Sequence, residues 1–286
     1  MSTLTLLGTG TPTPTATQFG TSYVLQIGNE RLMIDCGPAT THKLVKAGMF
    51  PTQIDFLFFT HHHFDHNADY PCFLLCRWDQ SNGTENPLQV FGPEPTEQMT
   101  DQLIGPDGAF ADDWKARCGA PVSQHVHKNR GGSLPRPEPS LHVTDIGPGK
   151  VIEHNGWAVH AESAQHVEPW LISLAYRVDS EDGSIVFAGD TAPCDGVAKL
   201  AEGADALVVN CWDVQKEMDE NGEAPGQTGT TDAAKMARDA GVKMLILTHH
   251  GPRLNRPGVK EGAIGEIGRI FDGEIIFGRE LMELEL

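Results

Sequence analysis

Apolar residues in the first sixty positions come in short runs rather than at helical intervals. Leu4–Leu7, Ser22–Ile27 and Arg31–Asp35 read as strands separated by Gly and Pro turns, with Gly28-Asn29 joining the last two as a hairpin connection. Thr41 to Ala47 predicts a short helix stopped by Gly48. The run Ile54-Asp55-Phe56-Leu57-Phe58-Phe59-Thr60 is apolar and bounded by polar residues, the mark of a buried strand, and it ends directly in His61. In the second half strands and helices alternate. Strands are predicted at Trp157–Ala161, Leu171–Val178, Ser184–Ala188, Ala206–Asn210, Val242–Thr248, Ile275–Phe277 and Leu281–Leu284. Helices are predicted over 195–201 and from the Thr231-Asp232 cap through Ala240, where Gly241 ends the run. Residues 79–150 are rich in proline, among them Pro93, Pro106, Pro121 and Pro135, and contain Gly131-Gly132. This stretch is expected to be an irregular surface excursion, a lid or dimer contact, rather than a separate domain. The whole pattern predicts two sheets packed face to face with helices outside, in one domain over 1–286.

Composition narrows the class. With 39% hydrophobic and 21% charged residues, the 286-residue chain has ample material for a core, which excludes disorder as its main state. The net charge of −18 argues against binding long polyanions or anionic membranes, since those contacts depend on Lys and Arg. It leads to the expectation of a small-molecule substrate and no nucleic-acid partner. Neither a signal-peptide pattern nor an apolar run long enough to span a bilayer is visible, and the six cysteines include no Cys-x-x-Cys pair. A cytoplasmic protein with reduced thiols is the expectation.

The chemistry concentrates in Thr60-His61-His62-His63-Phe64-Asp65-His66-Asn67, which places four candidate metal ligands within six residues after a buried strand. In extended backbone, positions i and i+2 face the same way, so His61 and His63 can share one metal. Asp65 and His66, beyond the bend, can face a second. Three later residues also stand at predicted strand ends or just beyond them: His166 after Glu162-Ser163-Ala164-Gln165, Asp190 in Phe187-Ala188-Gly189-Asp190-Thr191, and His249 in Leu245-Ile246-Leu247-Thr248-His249. Strand ends in layered folds gather on one edge, so this repetition points to a shared site.

With these residues in view, the sequence resembles the metallo-β-lactamase superfamily, whose pattern is His-x-His-x-Asp-His followed by His, Asp and His at later strand ends. Leu6-Leu7-Gly8-Thr9-Gly10-Thr11-Pro12, Ile34-Asp35-Cys36-Gly37 and Gly189-Asp190-Thr191 are similar to the ribonuclease Z and arylsulfatase-type branch. The resemblance implies an α/β (α+β) class fold, a four-layer αββα sandwich of two mixed sheets. It also implies a homodimer and two divalent metal ions, with Zn the first choice and Mn or Fe as alternatives. By position, His61, His63 and His166 would hold one metal, Asp65, His66 and His249 the other, and Asp190 would bridge them. Such a pair about 3.5–4 Å apart lowers the pKa of the water between them toward about 7, and the hydroxide attacks the substrate. Asp65 is the candidate catalytic base.

The resemblance leaves the substrate open. A small ester, lactone or cyclic amide is the leading expectation. The alternatives are a phosphodiesterase or arylsulfatase, a ribonuclease Z-like nuclease, and, outside hydrolysis, a mono-iron persulfide dioxygenase. Only 23 residues separate His166 from Asp190, where ribonuclease Z enzymes commonly carry a long tRNA-gripping arm. Thr228-Gly229-Thr230-Thr231 lacks a histidine that many relatives have. Both departures weigh against tRNA processing. Asp35 could accept a ligand histidine's second N–H or cap a loop, and His250 could line the site or replace His249. Tyr70, Trp78, Trp170 and Trp212 follow the motifs at short range and are candidate walls of an apolar pocket, or ordinary core aromatics. His62 is expected to pack away from its neighbours, His160 to be structural, and His125, His127, His142 and His154 to be solvated loop residues.

Overall fold

The computed structural model describes residues 1–286. Strands β1 (Thr3–Thr9), β2 (Thr21–Ile27) and β3 (Glu30–Ile34) lead through helix α1 (Thr40–Lys46) to β4 (Phe56–Phe58). Helices α2 (Phe64–Asn67) and α3 (Tyr70–Gln80) precede β5 (Gln89–Gly92), and α4 (Thr96–Ile104), α5 (Ala111–Gly119) and α6 (Pro121–Asn129) precede β6 (His142–Asp145). Next come β7 (Gly149–His154), β8 (Trp157–Ser163), β9 (Leu174–Ser180), β10 (Gly183–Phe187), α7 (Asp195–Ala201) and β11 (Ala206–Asn210). The chain finishes with α8 (Gln215–Asn221), α9 (Thr230–Ala240), β12 (Met244–Thr248), α10 (Val259–Ile267), β13 (Glu274–Phe277) and β14 (Met282–Glu285).

The strands form two seven-stranded mixed sheets, ordered β14-β1-β2-β3-β4-β5-β6 and β13-β12-β11-β10-β9-β8-β7. Alternation along each strand assigns the faces. In β11, Ala206 and Val208 point between the sheets while Leu207 and Val209 point under the outer helices; in β9, Leu174, Tyr176 and Val178 face inward and Ala175 outward. Both faces are covered, which is why these strands read as unbroken apolar runs. Leu32, Ile34, Phe56 and Phe58 of the first sheet meet Trp157, Val159, Tyr176 and Phe187 of the second, completing an αββα sandwich. Phe58 is fully buried and stacks on Phe91 with ring centroids 5.2 Å apart. Phe58→Ala is expected to lower unfolding free energy by about 3–5 kcal/mol, read as a fall in the urea midpoint at unchanged slope.

Parallel pairing puts the chemistry on one edge. Strand β3 runs parallel to β4, β10 to β11 and β11 to β12. Strands β8 and β10 are each antiparallel to β9, hence parallel to each other. The C-terminal ends of β3, β4, β8, β10 and β12 therefore share an edge. Hydrogen bonds join the sheets there: Tyr176 Oη donates to Phe59 O (2.6 Å), the Leu174 N–H to Thr60 O (2.9 Å), and Tyr23 Oη to Thr248 Oγ1 (2.8 Å).

Residues 79–150 are not irregular. They contain three helices and contribute β5 and β6 to the first sheet and the first two residues of β7 to the second. Two of their prolines sit at helix starts, where a missing N–H costs nothing: Pro121 opens α6 and Pro95 precedes α4. The Asp79 carboxylate at the end of α3 receives Arg117, Arg130 and Arg136, and the Arg136 guanidinium lies 4.0 Å over the Trp78 ring. No helix is long and apolar enough to cross a membrane.

Candidate metal centre

Special backbone geometry aims several of the site residues where they leave strand ends. Asp35 follows β3 at φ +59° and His249 follows β12 at φ +52°, both in the left-handed region that non-glycine residues seldom occupy. Glycine serves where a Cβ cannot fit: at Gly37 it would strike the Asp65 carbonyl, and Gly189 adopts φ +64° against the Thr60 side chain. His61 lies in the loop after β4, and His63 is the residue preceding α2, whose single turn carries Asp65 and His66.

These elements bring seven side chains into one cluster, five of them buried and His63 and His166 half-buried. His61 Nε2 and His166 Nε2 lie 3.1 and 3.2 Å from His63 Nδ1. His249 Nε2 lies 3.1 Å from both Asp65 Oδ2 and Asp190 Oδ2. His66 Nε2 is 3.7 Å from Asp65 and from Asp190, and His166 Nε2 is 3.9 Å from Asp190. The atoms form three interlocking groups: His61, His63 and His166; His61, His66 and Asp190; Asp65, His66 and His249.

The surrounding hydrogen bonds turn histidine lone pairs inward. His166 donates Nδ1–H to the Gly226 carbonyl (2.7 Å) and His66 donates Nδ1–H to Asp35 Oδ2 (2.7 Å), which leaves each Nε2 as an acceptor facing the cluster. Thr60 donates its hydroxyl to Asp35 Oδ2 (2.8 Å), so its oxygen is free to accept Nδ1–H from His61 (3.1 Å). Asp35 Oδ1 accepts the Thr60 N–H as well (2.7 Å). Neutral imidazole acceptors facing one another about 3 Å apart repel unless a proton or cation lies between them. Asp65 Oδ1 and His66 Nε2 are buried without any hydrogen-bond partner, which in a folded interior requires an explanation. A set of imidazole nitrogens and carboxylate oxygens with such orphaned atoms fits divalent metal.

The electrostatics agree. Burial pushes Asp190 upward, but His249, His66 and His61 outweigh it and hold the carboxyl well below its ordinary range. Burial pushes His61 well below the ordinary imidazole value, with the neighbouring histidines adding to the effect. His66 is the reverse: burial lowers it, yet Asp35 and Asp190 outweigh burial and raise it well above. The field that favours a proton there favours a cation equally.

Other predicted residues lie elsewhere. His250 turns away from the cluster: it is 2% exposed, accepts from Gln18 Nε2 (3.3 Å) and packs on Phe277, and burial pushes it down to about 3. Tyr70 is fully buried, edge-on to Phe59 with its hydroxyl on Thr100, so it belongs to the core under α3 rather than to a pocket wall. Trp78 stacks with Arg136 and donates Nε1–H to Pro137 O, away from the cluster. Trp212 lies 6.1 Å from the His249 ring and donates to Glu223, and Trp170 is exposed beyond His166. His62 points outward to Thr96 Oγ1 (2.8 Å). The expected solvated loop histidines differ: His127 is buried on α6, His142 lies on β6, His125 on α6, and His154 ends β7 against Glu30 and Trp157. Strand residue His160 is half-buried, near Asp179. Sequence reasoning did not single out Thr60, although a hydroxyl residue directly before the first histidine was its signal.

Comparison with known proteins places this geometry. The family model described as "Beta-lactamase superfamily domain" matches residues 30–250. A ribonuclease Z from Mycobacterium sp. (strain KMS) is 31% identical over 292 residues, covering 99% of this chain and 95% of that protein. Among solved structures, the metallo-β-lactamase fold protein YhfI from Bacillus subtilis superposes with a TM-score of 0.76 at 20% identity, covering 100% of this chain and 99% of that one. The short form of human tRNase Z gives 0.70 at 21% identity, covering 99% and 98%. These relatives overturn the expectation of a small-molecule substrate without nucleic acid, because the full-length sequence relatives are named ribonucleases. Net charge misled because it sums the whole surface. A total of −18 says nothing of how charge is distributed around the site. With a family model spanning most of its length and a full-length relative at 31% identity, the chain belongs to the metallo-β-lactamase superfamily, in its ribonuclease Z branch, and is a metal-dependent hydrolase.

Proposed function

We propose that the protein cleaves phosphodiester bonds in RNA, using two divalent cations. The convergence of seven ligand-type side chains, with buried Asp65 Oδ1 and His66 Nε2 left unpartnered, carries this reading. The full-length ribonuclease Z relatives favour a phosphodiester over the carboxylic ester, lactone or cyclic amide first expected. His61, His63 and His166 would hold one cation, Asp65, His66 and His249 the other, and Asp190, reaching both groups, would join them. Zinc suits this nitrogen- and oxygen-rich set, and Mn or Fe can occupy it too. Bound there, the cations supply a low-pKa water and polarise the phosphoryl oxygen.

The remaining steps belong to the chain. Asp65 has one oxygen on His249 and the other free of protein partners, so Oδ1 can accept the proton of the attacking water. His66 is held by Asp35, and His166 by the Gly226 carbonyl, which fixes ring orientation before substrate arrives. The test is cleavage of a labelled RNA hairpin with a single-stranded 3′ extension, beside bis(p-nitrophenyl) phosphate, after chelation and restoration of Zn, Mn or Fe. Metal-dependent RNA cleavage is expected; hydrolysis of carboxylic esters with RNA left intact would overturn the proposal.

His249 and His250 give an internal control. His249→Ala is expected to lose bound metal, whereas His250→Ala keeps it and instead loses about 1–3 kcal/mol of stability. Metal analysis beside thermal unfolding separates the two.

A further inference from the structure

The segment following His166 is built against the usual rule for loops. Ala164 donates its N–H to Ser173 O (2.9 Å), closing the base of a loop, and the Trp170 N–H donates to Val167 O (3.0 Å) in a turn within it. Between those ends Val167, Pro169, Trp170, Leu171 and Ile172 are apolar and none is buried. Trp170, at 85% exposure, is the most exposed large hydrophobic residue of the chain, and Ile172 is 49% exposed. Consecutive exposed apolar residues work against solubility unless they serve a function.

Both ends of the loop are fixed at the rim of the metal centre. It begins at His166, pinned to Gly226, and returns at Leu174, whose N–H bonds Thr60 O beside His61. Trp170 is four residues from His166, within about 14 Å even if the chain were fully extended, and the turn shortens that reach. Phe64, between His63 and Asp65, exposes 56% of its surface at the same rim. Residues 164–173 contain no Lys or Arg and one acid, Glu168, so the loop suits a neutral planar group rather than a phosphate.

We infer that Trp170 is a stacking platform for an unpaired nucleobase next to the scissile phosphate, with Phe64, exposed beside His63, as a second apolar surface. The inference rests on the RNA-cleaving function proposed above. A tryptophan face accepts any base, because every base presents a π-surface, so the platform positions the strand without selecting its sequence.

The test compares wild type, Trp170→Ala and Trp170→Phe on the labelled RNA hairpin with a single-stranded 3′ extension, and on the same RNA carrying an abasic residue beside the cleaved bond. Trp170→Ala is expected to raise KM roughly tenfold, the scale of one lost stacking contact, with the effect in KM rather than kcat. Trp170→Phe restores most of the loss. The abasic RNA costs wild type a similar factor and costs Trp170→Ala little more, because the two changes remove the same contact. Wild type that cleaves RNA with a KM unchanged by Trp170→Ala overturns the platform alone, as does an equal loss on intact and abasic RNA. A Trp170→Ala effect that only tracks dissociation of a dimer, followed by light scattering, assigns the loop to a second copy of the chain and overturns the platform too. Wild type that cleaves no RNA with metal restored overturns the RNA-cleaving function, and the platform with it.

Discussion

Asp65→Ala is expected to reduce turnover on RNA and on bis(p-nitrophenyl) phosphate by about 10²–10⁴-fold with the fold intact, the range spanned by loss of a positioned proton acceptor. The side chain stands at 1% exposure, with Oδ2 against His249 and Oδ1 unpartnered, so under the proposed assignment alanine removes a metal ligand and a base together. Asp65→Asn separates the two contributions, since the amide keeps one oxygen for coordination and cannot take the proton. His63→Ala should likewise remove most activity through the first metal group. The measurement is kcat with metal in excess, beside circular dichroism of each variant; unchanged turnover in both alanine variants would refute the assignment of the site.

Asp35→Asn carries the second large effect, about 10–100-fold weaker metal binding, although Asp35 reaches the cluster only through His66 and, by way of Thr60, His61. Its carboxylate accepts three hydrogen bonds, from Thr60 N, Thr60 Oγ1 and His66 Nδ1. An amide can accept at one oxygen only, so its nitrogen must face a donor, in a position with no solvent exposure. Asparagine tolerates the left-handed backbone at φ +59°, so the loss cannot be ascribed to strain. Competition with a chromogenic chelator measures the affinity. Asn-variant affinity equal to wild type would show that His66 needs no such anchor.

How far the sequence disclosed this arrangement follows from where its signals come from. Ala206–Asn210 and 195–201 have the predicted bounds, because a doubly covered strand is apolar throughout and the short helix is delimited by polar and glycine residues. The strand ahead of His61 is shorter than its apolar run, since Phe59 and Thr60 already belong to the turn that binds Asp35 and the second sheet. Leu171, Ile172 and Ser173 read as strand but form the loop after His166, as β9 begins only where Leu174 meets Thr60. Residues 79–150 were opaque because proline at the first turn of a helix and proline in a loop look alike along the chain. Whether an aromatic residue near a motif faces the site or the core depends on helix phase and neighbouring strands, which is why Tyr70 is core and Trp170 is not. The convergence of the seven side chains was legible because they sit at or just beyond the ends of apolar runs, where sheet topology gathers them on one edge. Substrate class was hidden because net charge records no geometry.

Metal content measured together with cleavage tests the central claim most directly. Purified protein, stripped by chelator and dialysed against zinc, is analysed by inductively coupled plasma mass spectrometry and assayed on the labelled RNA, with Asp190→Ala treated in parallel. Two zinc ions per wild-type chain, a loss of bound metal in Asp190→Ala, and cleavage that vanishes on stripping and returns with metal are predicted. Wild type that takes up no metal, or that cleaves equally well when stripped, would contradict it.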